Sequence, residues 1–341
     1  MLSPALSVQT GRAFARRRLG DDRGGRCAPQ ERERGLGQIG RQLFGRIVSF
    51  NTHPAPQNAA SGGLLAEHKS RFRAYTERYL ADPDVQDHRP IALKIEHTLQ
   101  VLGNASRILD APSPLDAWGD IPQGGVGGLG YPQLARLAAL YHDVGRFEQY
   151  RRYNTFHDKK SENHARLGVR ALRQSDLLDG LEDEARRFVQ TAVMLHNRRF
   201  LPRGIAADVG YVTRVVRDAD KVDIMRVMVD HFTAPDPADP VVTLHVKEHP
   251  TNYTPELYEA VLAGSSGDYT DMRWTNDFKL LILGWIFQLN FRASLDMVRE
   301  RSLARRLLEN LPDTPKMRRL DGIIDTALAP ETPAAGESVP E

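Results

Sequence analysis

The sequence predicts an all-α bundle, and three observations carry that expectation. Apolar residues between Arg89 and Leu328 recur at three- and four-residue steps, the spacing of one helix face. Alternating apolar and polar segments are nearly absent, Val241–Val246 being the one short β-like run. Stretches dense in Pro and Gly cut the chain into pieces of helical length, and helices repeated without strands bury their faces by packing on one another.

Taken in order, Ile95, Leu99, Leu102, Ala105 and Leu109 form the stripe of a first helix, with no proline inside it. Asp110 to Gly130 reads as a loop. A second helix follows, with Pro132 suited to its first turn, Leu134, Leu137, Ala138 and Tyr141 on its inner face, and Gly145 near its end. Ser161 is expected to cap a third helix carrying Leu167, Ala171 and Leu172. Phe188, Val189, Ala192, Val193 and Leu195 mark a fourth, and Val212, Val215, Val216, Ala219 and Val222 a fifth. Residues 233–252 read as a loop or small insertion. Thr254-Pro255 opens another helix by capping logic, and helical patterns return over Asp277–Leu311 and Leu320–Leu328. Residues 1–62, rich in Arg, Gly, Gln and Pro, are expected to be a disordered extension, 63–328 the folded domain, and 329–341 a disordered tail.

Composition narrows the function classes. The net charge is +2, yet the first fifty residues hold ten Arg and no Lys against four acids, so the folded part is mildly acidic. That gives no strong nucleic-acid signal there, since phosphate-backbone binding needs a clustered basic face. The first twenty residues lack acids and carry Arg and Ser, as an organelle transit peptide would; an unstructured extension is the preferred reading. Cys27 is the single cysteine, which excludes an internal disulfide and a thiolate zinc site and fits a cytoplasmic protein. Leu280–Leu289 is the longest apolar run, well short of the roughly 18–20 residues of a membrane span, and reads as a buried helix.

The eleven histidines carry the chemistry. His142-Asp143 ends the second helix in LAALYHDVGRFEQY. Neighbours on a helix point about 100° apart, yet an imidazole and a carboxylate near a helix end can still converge on one ion. His97 lies beside the first apolar stripe. Asp220, in VVRDADKVDIMR, lies at the border of an apolar face and needs a partner if buried; a metal ion and an arginine are the alternatives. Asp218 falls on nearly the opposite side, whereas Asp223 is one turn on and suits an acceptor from a ligand histidine. His164 and His196 lie between. A solvated residue of a first helical turn and a satisfied core histidine are their plainer alternatives. His157, His231, His245 and His249 read as surface or loop residues.

The order H…HD…D, each part on its own helix, resembles the HD superfamily of metal-dependent phosphohydrolases over roughly Arg89 to His231. The segment HDVGRFEQYRRYNTFHDKKSENHARLGV is similar to a subgroup of that superfamily known as expected hydrolases. The resemblance implies an HD-domain helical bundle with additional C-terminal helices and six metal ligands: His97, His142, Asp143, His164, His196 and Asp220, with Asp143 as the bridging carboxylate. It implies one or two divalent transition metals. Four imidazoles and two carboxylates suit Mn, Fe, Co, Ni or Zn better than Mg. Arg146, three residues past Asp143, stands where related enzymes carry a phosphate-holding Lys or Arg. Lys159, Lys160, Arg198, Arg199 and Lys221 are further candidates for phosphate, singly more often a solvated face. Asp158 and Ser161 match the subgroup, as substrate contacts or caps.

The function so implied is hydrolysis of a nucleotide or other small phosphoester by a metal-activated hydroxide, with Asp143 or Asp220 taking the proton and Arg146 offsetting charge. The GYP extension of cyclic-di-GMP hydrolases is absent after His196, where NRRFLPRG stands. Two alternatives stand beside it: an HD-type di-iron oxygenase, which shares the ligand set, and a non-catalytic nucleotide-binding regulatory domain. The C-terminal helices with Trp274, Trp285 and Phe287 are expected to pack on the core, closing the pocket or forming a dimer face.

Overall fold

The computed structural model describes residues 61–115, 121–234 and 246–330. Within them the protein is all-α apart from one small hairpin. Helix α1 (Ser61–Leu80) is followed by α2 (Arg89–Asp110), α3 (Tyr131–Tyr141), α4 (Val144–Tyr153), α5 (His164–Gln174), α6 (Asp183–Leu195) and the long α7 (Ala207–Thr233). Then come α8 (Pro255–Leu262), α9 (Thr275–Gly284), α10 (Arg292–Glu300), α11 (Leu303–Glu309) and α12 (Pro315–Leu328). The hairpin pairs Gly125–Val126 with Leu129–Gly130 in antiparallel register. Gly127 and Gly128 make its turn with φ of +55° and +71°, a left-handed backbone that glycine adopts without a Cβ clash.

The core is a bundle in which α2, α3 and α7 pack on one another, with α6 against α3 and α7. Most of the stripes that the sequence shows are its inner faces: Leu102, Ala105 and Leu109 of α2, Leu134 and Ala138 of α3, and Val212, Val215, Val216 and Ala219 of α7 are buried, whereas Ile95 and Leu99 of α2 are only half-buried and Val101 and Ile108 complete its inner face. Each buried Val, Leu or Ile side chain among them contributes roughly 1.5–3 kcal/mol on leaving water.

Several local expectations change. The second predicted helix does not run through Gly145. It stops at Tyr141, His142 and Asp143 form a turn, and α4 begins at Val144. Gly145 therefore lies at the start of a helix, where α4 meets α5: a Cβ on it would fall 2.1 Å from the His164 carbonyl oxygen and 2.3 Å from the Gly168 nitrogen. Ser161 is not the cap of α5. Asn163 is, its side chain accepting from the Arg166 N–H, while Ser161 Oγ donates to the His157 carbonyl. Helix α1 has no counterpart in the sequence reading, and the apolar run at 280–289 breaks into a 3-10 turn at Trp285. Residues 241–245 of the β-like run, and His245 with them, lie outside the described residues.

The C-terminal helices are fixed by two buried carboxylates. Asp218 on α7 accepts from the backbone N–H of Asn290 at 2.6 Å and of Phe291 at 3.0 Å, and from Asn290 Nδ2 at 2.6 Å. Asp277 joins the starts of α8 and α9, accepting from Thr254 Oγ1 at 2.8 Å and from the N–H groups of Thr254, Arg273 and Trp274. Asp277→Ala would leave these donors buried without an acceptor. A loss of about 2–4 kcal/mol is expected in urea unfolding, and a change under about 0.5 kcal/mol would refute this role.

Candidate metal centre

Four histidines enter the centre of the bundle from four helices, and their second ring nitrogens are all spoken for. His142 directly follows α3 and His196 directly follows α6. The last carbonyls of a helix lack partners within it. Each ring folds back onto its own helix, His142 Nδ1 donating to the Ala139 carbonyl at 2.8 Å and His196 Nδ1 to that of Val193 at 2.7 Å. His97 Nδ1 donates to Asp223 at 2.7 Å, and His164 Nδ1 to Asp158 at 2.8 Å. With the Nδ1 protons so placed, the Nε2 of each neutral ring carries a lone pair.

Those lone pairs face one another. His97 Nε2 and His142 Nε2 are 3.4 Å apart, and His164 Nε2 and His196 Nε2 are 3.1 Å apart. Asp143 stands between the pairs. Its Oδ2 is 3.7 Å from both His97 and His142 Nε2, and its Oδ1 is 3.5 Å from His164 Nε2 and 3.9 Å from His196 Nε2. Asp220 Oδ1 completes the first group, 3.1 Å from His97 Nε2 and 3.6 Å from His142 Nε2. Facing acceptors without donors repel, and a cation placed among them removes the repulsion. The residues present thus fit divalent metal: His97, His142 and Asp143 form one group able to hold an ion, and Asp143, His164 and His196 another. All six residues that the sequence groups together lie within this cluster.

The charges agree with that geometry. Burial works against ionisation of Asp143, but Lys94, His142, Arg146 and His164 around it outweigh burial and hold its carboxyl well below the usual range. Asp220 is held low in the same way by His142 and His97. Burial pushes His196 down to about 3, helped by its histidine neighbours, and lowers His164 too. For His142 burial is overcome by Asp143 and Asp220, and its pKa is raised. A protein-bound proton therefore competes with an ion in the first group more than in the second. As pH falls, the ion beside His142 is expected to leave before the one between His164 and His196. Metal content followed against pH by elemental analysis would show two steps; a single step releasing both ions contradicts this.

A second layer aims these side chains. The three aspartates near the middle of α7 divide the work. Asp218 anchors the C-terminal chain, Asp220 faces the cluster, and Asp223, itself gripped by Arg226 Nε at 2.7 Å, orients His97. Asp158 holds His164, and Gln149 Nε2 ties it in turn to Ser161 and to the Glu162 carbonyl. Arg217 Nη1 donates to the His196 carbonyl at 2.9 Å and fixes the chain after α6. Asp223→Ala is expected to weaken one ion by about 10–100-fold in a chelator competition, with the other unchanged. Equal weakening of both would contradict the assignment of Asp223 to His97 alone.

Two residues that the sequence did not single out belong here. Lys94, one turn before His97, places Nζ 2.7 Å from Asp143 Oδ2, and Gln149 is fully buried beneath Asp158. The i−3 spacing from His97 was the available signal for Lys94. Arg146 lies in the first turn of α4 rather than on a continued helix. Its Nη1 donates to Gln149 Oε1 at 2.9 Å and to the Phe156 carbonyl at 2.6 Å, and its Nε is 3.4 Å from Asp143 Oδ1. His157, read as a surface residue, lines the cavity above the cluster together with Lys159, Arg198, Arg199 and Lys221.

An all-α bundle closed around a buried cluster of four histidines and two aspartates defines a metal-binding helical domain. The HD domain family model matches residues 95–225, the part of the chain that holds all six residues of the cluster. A protein of Bacillus subtilis (strain 168) named "Putative phosphohydrolase YueE" is 32% identical to the chain over 94 residues. The match covers 27% of this chain and 53% of that protein, so the chain spans about half the length of this curated relative. No solved structure matches the chain. Among the described residues no helix is long and apolar enough to cross a membrane.

Proposed function

We propose that the protein is a metal-dependent phosphohydrolase acting on a nucleotide or other small phosphoester. One observation carries the reading: the two oxygens of Asp143 are divided between two histidine pairs whose Nε2 lone pairs converge. His97, His142, Asp143 and Asp220 would hold one ion, and Asp143, His164 and His196 a second. The mixed nitrogen and oxygen donors favour Mn, Fe, Co, Ni or Zn over Mg. Divalent ions held there would lower the pKa of water and polarise a phosphoryl oxygen.

The chain's own groups supply the rest. Lys94 and Arg146 flank Asp143 and line the cavity, where cationic donors orient a phosphoryl group and offset charge gathering on its oxygens. The Nη1 of Arg146 is held by the Phe156 carbonyl and Gln149, and Lys94 Nζ by Asp143 Oδ2. Asp220 is suited to take the proton of the attacking water. It lines the cavity, and its side chain is 17% exposed against 4% for Asp143.

The test is phosphate release from a broad phosphoester panel by the full chain, with Mn²⁺, Fe²⁺, Co²⁺, Ni²⁺, Zn²⁺ or Mg²⁺ added in turn. Release that a chelator stops and added metal restores supports the reading. A fully metal-loaded protein that releases phosphate from nothing in the panel revives the regulatory, nucleotide-binding alternative.

A further inference from the structure

The cavity over Asp143 and Asp220 has a volume of about 630 Å³, the size that takes a drug-sized ligand rather than a bare phosphate. Its chemistry changes along α7. Asp220 and Lys221 stand at the metal end. Ile224, Val227 and Met228 follow on the same helix face, at the i+4, i+7 and i+8 positions from Asp220, and line the same cavity. Eight residues of helix carry the wall about 12 Å from the metal end to Met228. Chain beyond the HD domain adds Met272, Phe278, Leu281 and Trp285.

Three polar side chains along this wall are already engaged by the protein. Gln288 Oε1 accepts from Lys221 Nζ at 3.0 Å, Asp268 accepts from the Thr270 N–H at 2.9 Å and pairs with Arg199, and Ser266 Oγ donates to the Gly267 carbonyl at 3.4 Å. A nucleobase pressed against such a surface would surrender its hydrogen bonds to water and recover few of them, whereas a hydrocarbon gives up none.

We infer that the cavity selects phosphoesters whose organic part is a hydrocarbon chain or ring up to about 12 Å long, with the phosphate at Lys94, Arg146 and the metal cluster and the hydrocarbon between α7 and the C-terminal segment. This deepens the phosphohydrolase reading and rests on it. The C-terminal helices thereby supply the specificity wall of a site whose reacting end belongs to the HD domain.

The probes are n-alkylphosphonates from ethyl to octyl, which cannot be hydrolysed at phosphorus–oxygen ester bonds, and AMP, each titrated calorimetrically into the full chain loaded with Mn²⁺. Affinity is expected to rise about fourfold for each added methylene, and octylphosphonate to bind more tightly than AMP. Trp285→Gln and Met272→Gln, both at half-buried positions, are each expected to reduce the octyl-to-ethyl affinity ratio at least tenfold, with metal content serving as the check on folding. Phosphate release from the matching n-alkyl phosphates is expected to follow the same order in kcat/KM. AMP binding more tightly than every alkylphosphonate, or affinity independent of chain length, would overturn the inference while phosphate release from AMP left the hydrolase reading standing. Chain-length-dependent binding with no release from any phosphoester would overturn the hydrolase reading and leave the apolar pocket.

Discussion

Asp143→Ala is expected to lose both ions and at least about a thousandfold in phosphate release, or roughly 4 kcal/mol of transition-state stabilisation. The size follows from position. Among the described residues Asp143 is the one carboxylate within 4 Å of all four histidine Nε2 atoms, at 3.5 to 3.9 Å. Removing it takes a donor from each group at once and deprives Lys94 of its ion-pair partner at 2.7 Å. Asp143→Asn separates charge from shape, because the amide fills the same space and offers one oxygen. It is expected to keep part of its metal while activity stays low. Elemental analysis and phosphate release on the same samples decide the matter: Asp143→Ala that retains two ions and more than about a tenth of wild-type activity contradicts the bridging role.

Gly145→Ala is expected to be among the most destabilising single substitutions in the protein, at about 3–5 kcal/mol or a failure to fold. The added methyl would meet the His164 carbonyl oxygen at 2.1 Å, the Gly168 nitrogen at 2.3 Å and the Leu167 carbonyl carbon at 2.9 Å. These are backbone atoms of α5 and cannot turn aside as a side chain would. The same contact sets the distance between Asp143, just before α4, and His164, at the start of α5. Any folded fraction should therefore bind the ion between His164 and His196 more weakly than the ion beside His97. Denaturant unfolding within about 1 kcal/mol of wild type would show that α4 and α5 can separate without cost, and would undo this account of how the second group is spaced.

Much of the bundle was legible because periodicity is local. The stripes on α2, α3, α6 and α7 are properties of short windows, and the buried faces coincide with them except on α2, where Ile95 and Leu99 are half-buried and Val101 and Ile108 face the core. The HD order then assembled residues from His97 to Asp220 that no local pattern connects, and Asp223 was readable as an acceptor for a ligand histidine from its one-turn offset. What the sequence hid depends on contacts made across the fold. The helix break at His142-Asp143 is invisible to an apolar pattern that continues through Tyr141, Val144 and Phe147. The break matters, because it frees the Ala139 carbonyl for His142 Nδ1 and lets Asp143 turn both oxygens to the centre. Lys94 and Gln149 reveal their roles only once α2 and α4 meet. Asp218 and Asp277 look like ordinary polar positions until the chain returns to them from more than twenty residues away.

The oxygenase alternative shares the ligand set, so the residues of the centre do not separate it from the hydrolase; the products do. The most direct measurement loads the full chain anaerobically with Fe²⁺, then follows phosphate release and oxygen consumption in one sample given the phosphoester panel, with Asp143→Ala beside it. The account predicts metal-dependent phosphate release that is absent in the variant and unaccompanied by oxygen uptake. Oxygen consumption by iron-loaded protein, with no phosphate released under any metal, would contradict it and assign the centre to oxidation.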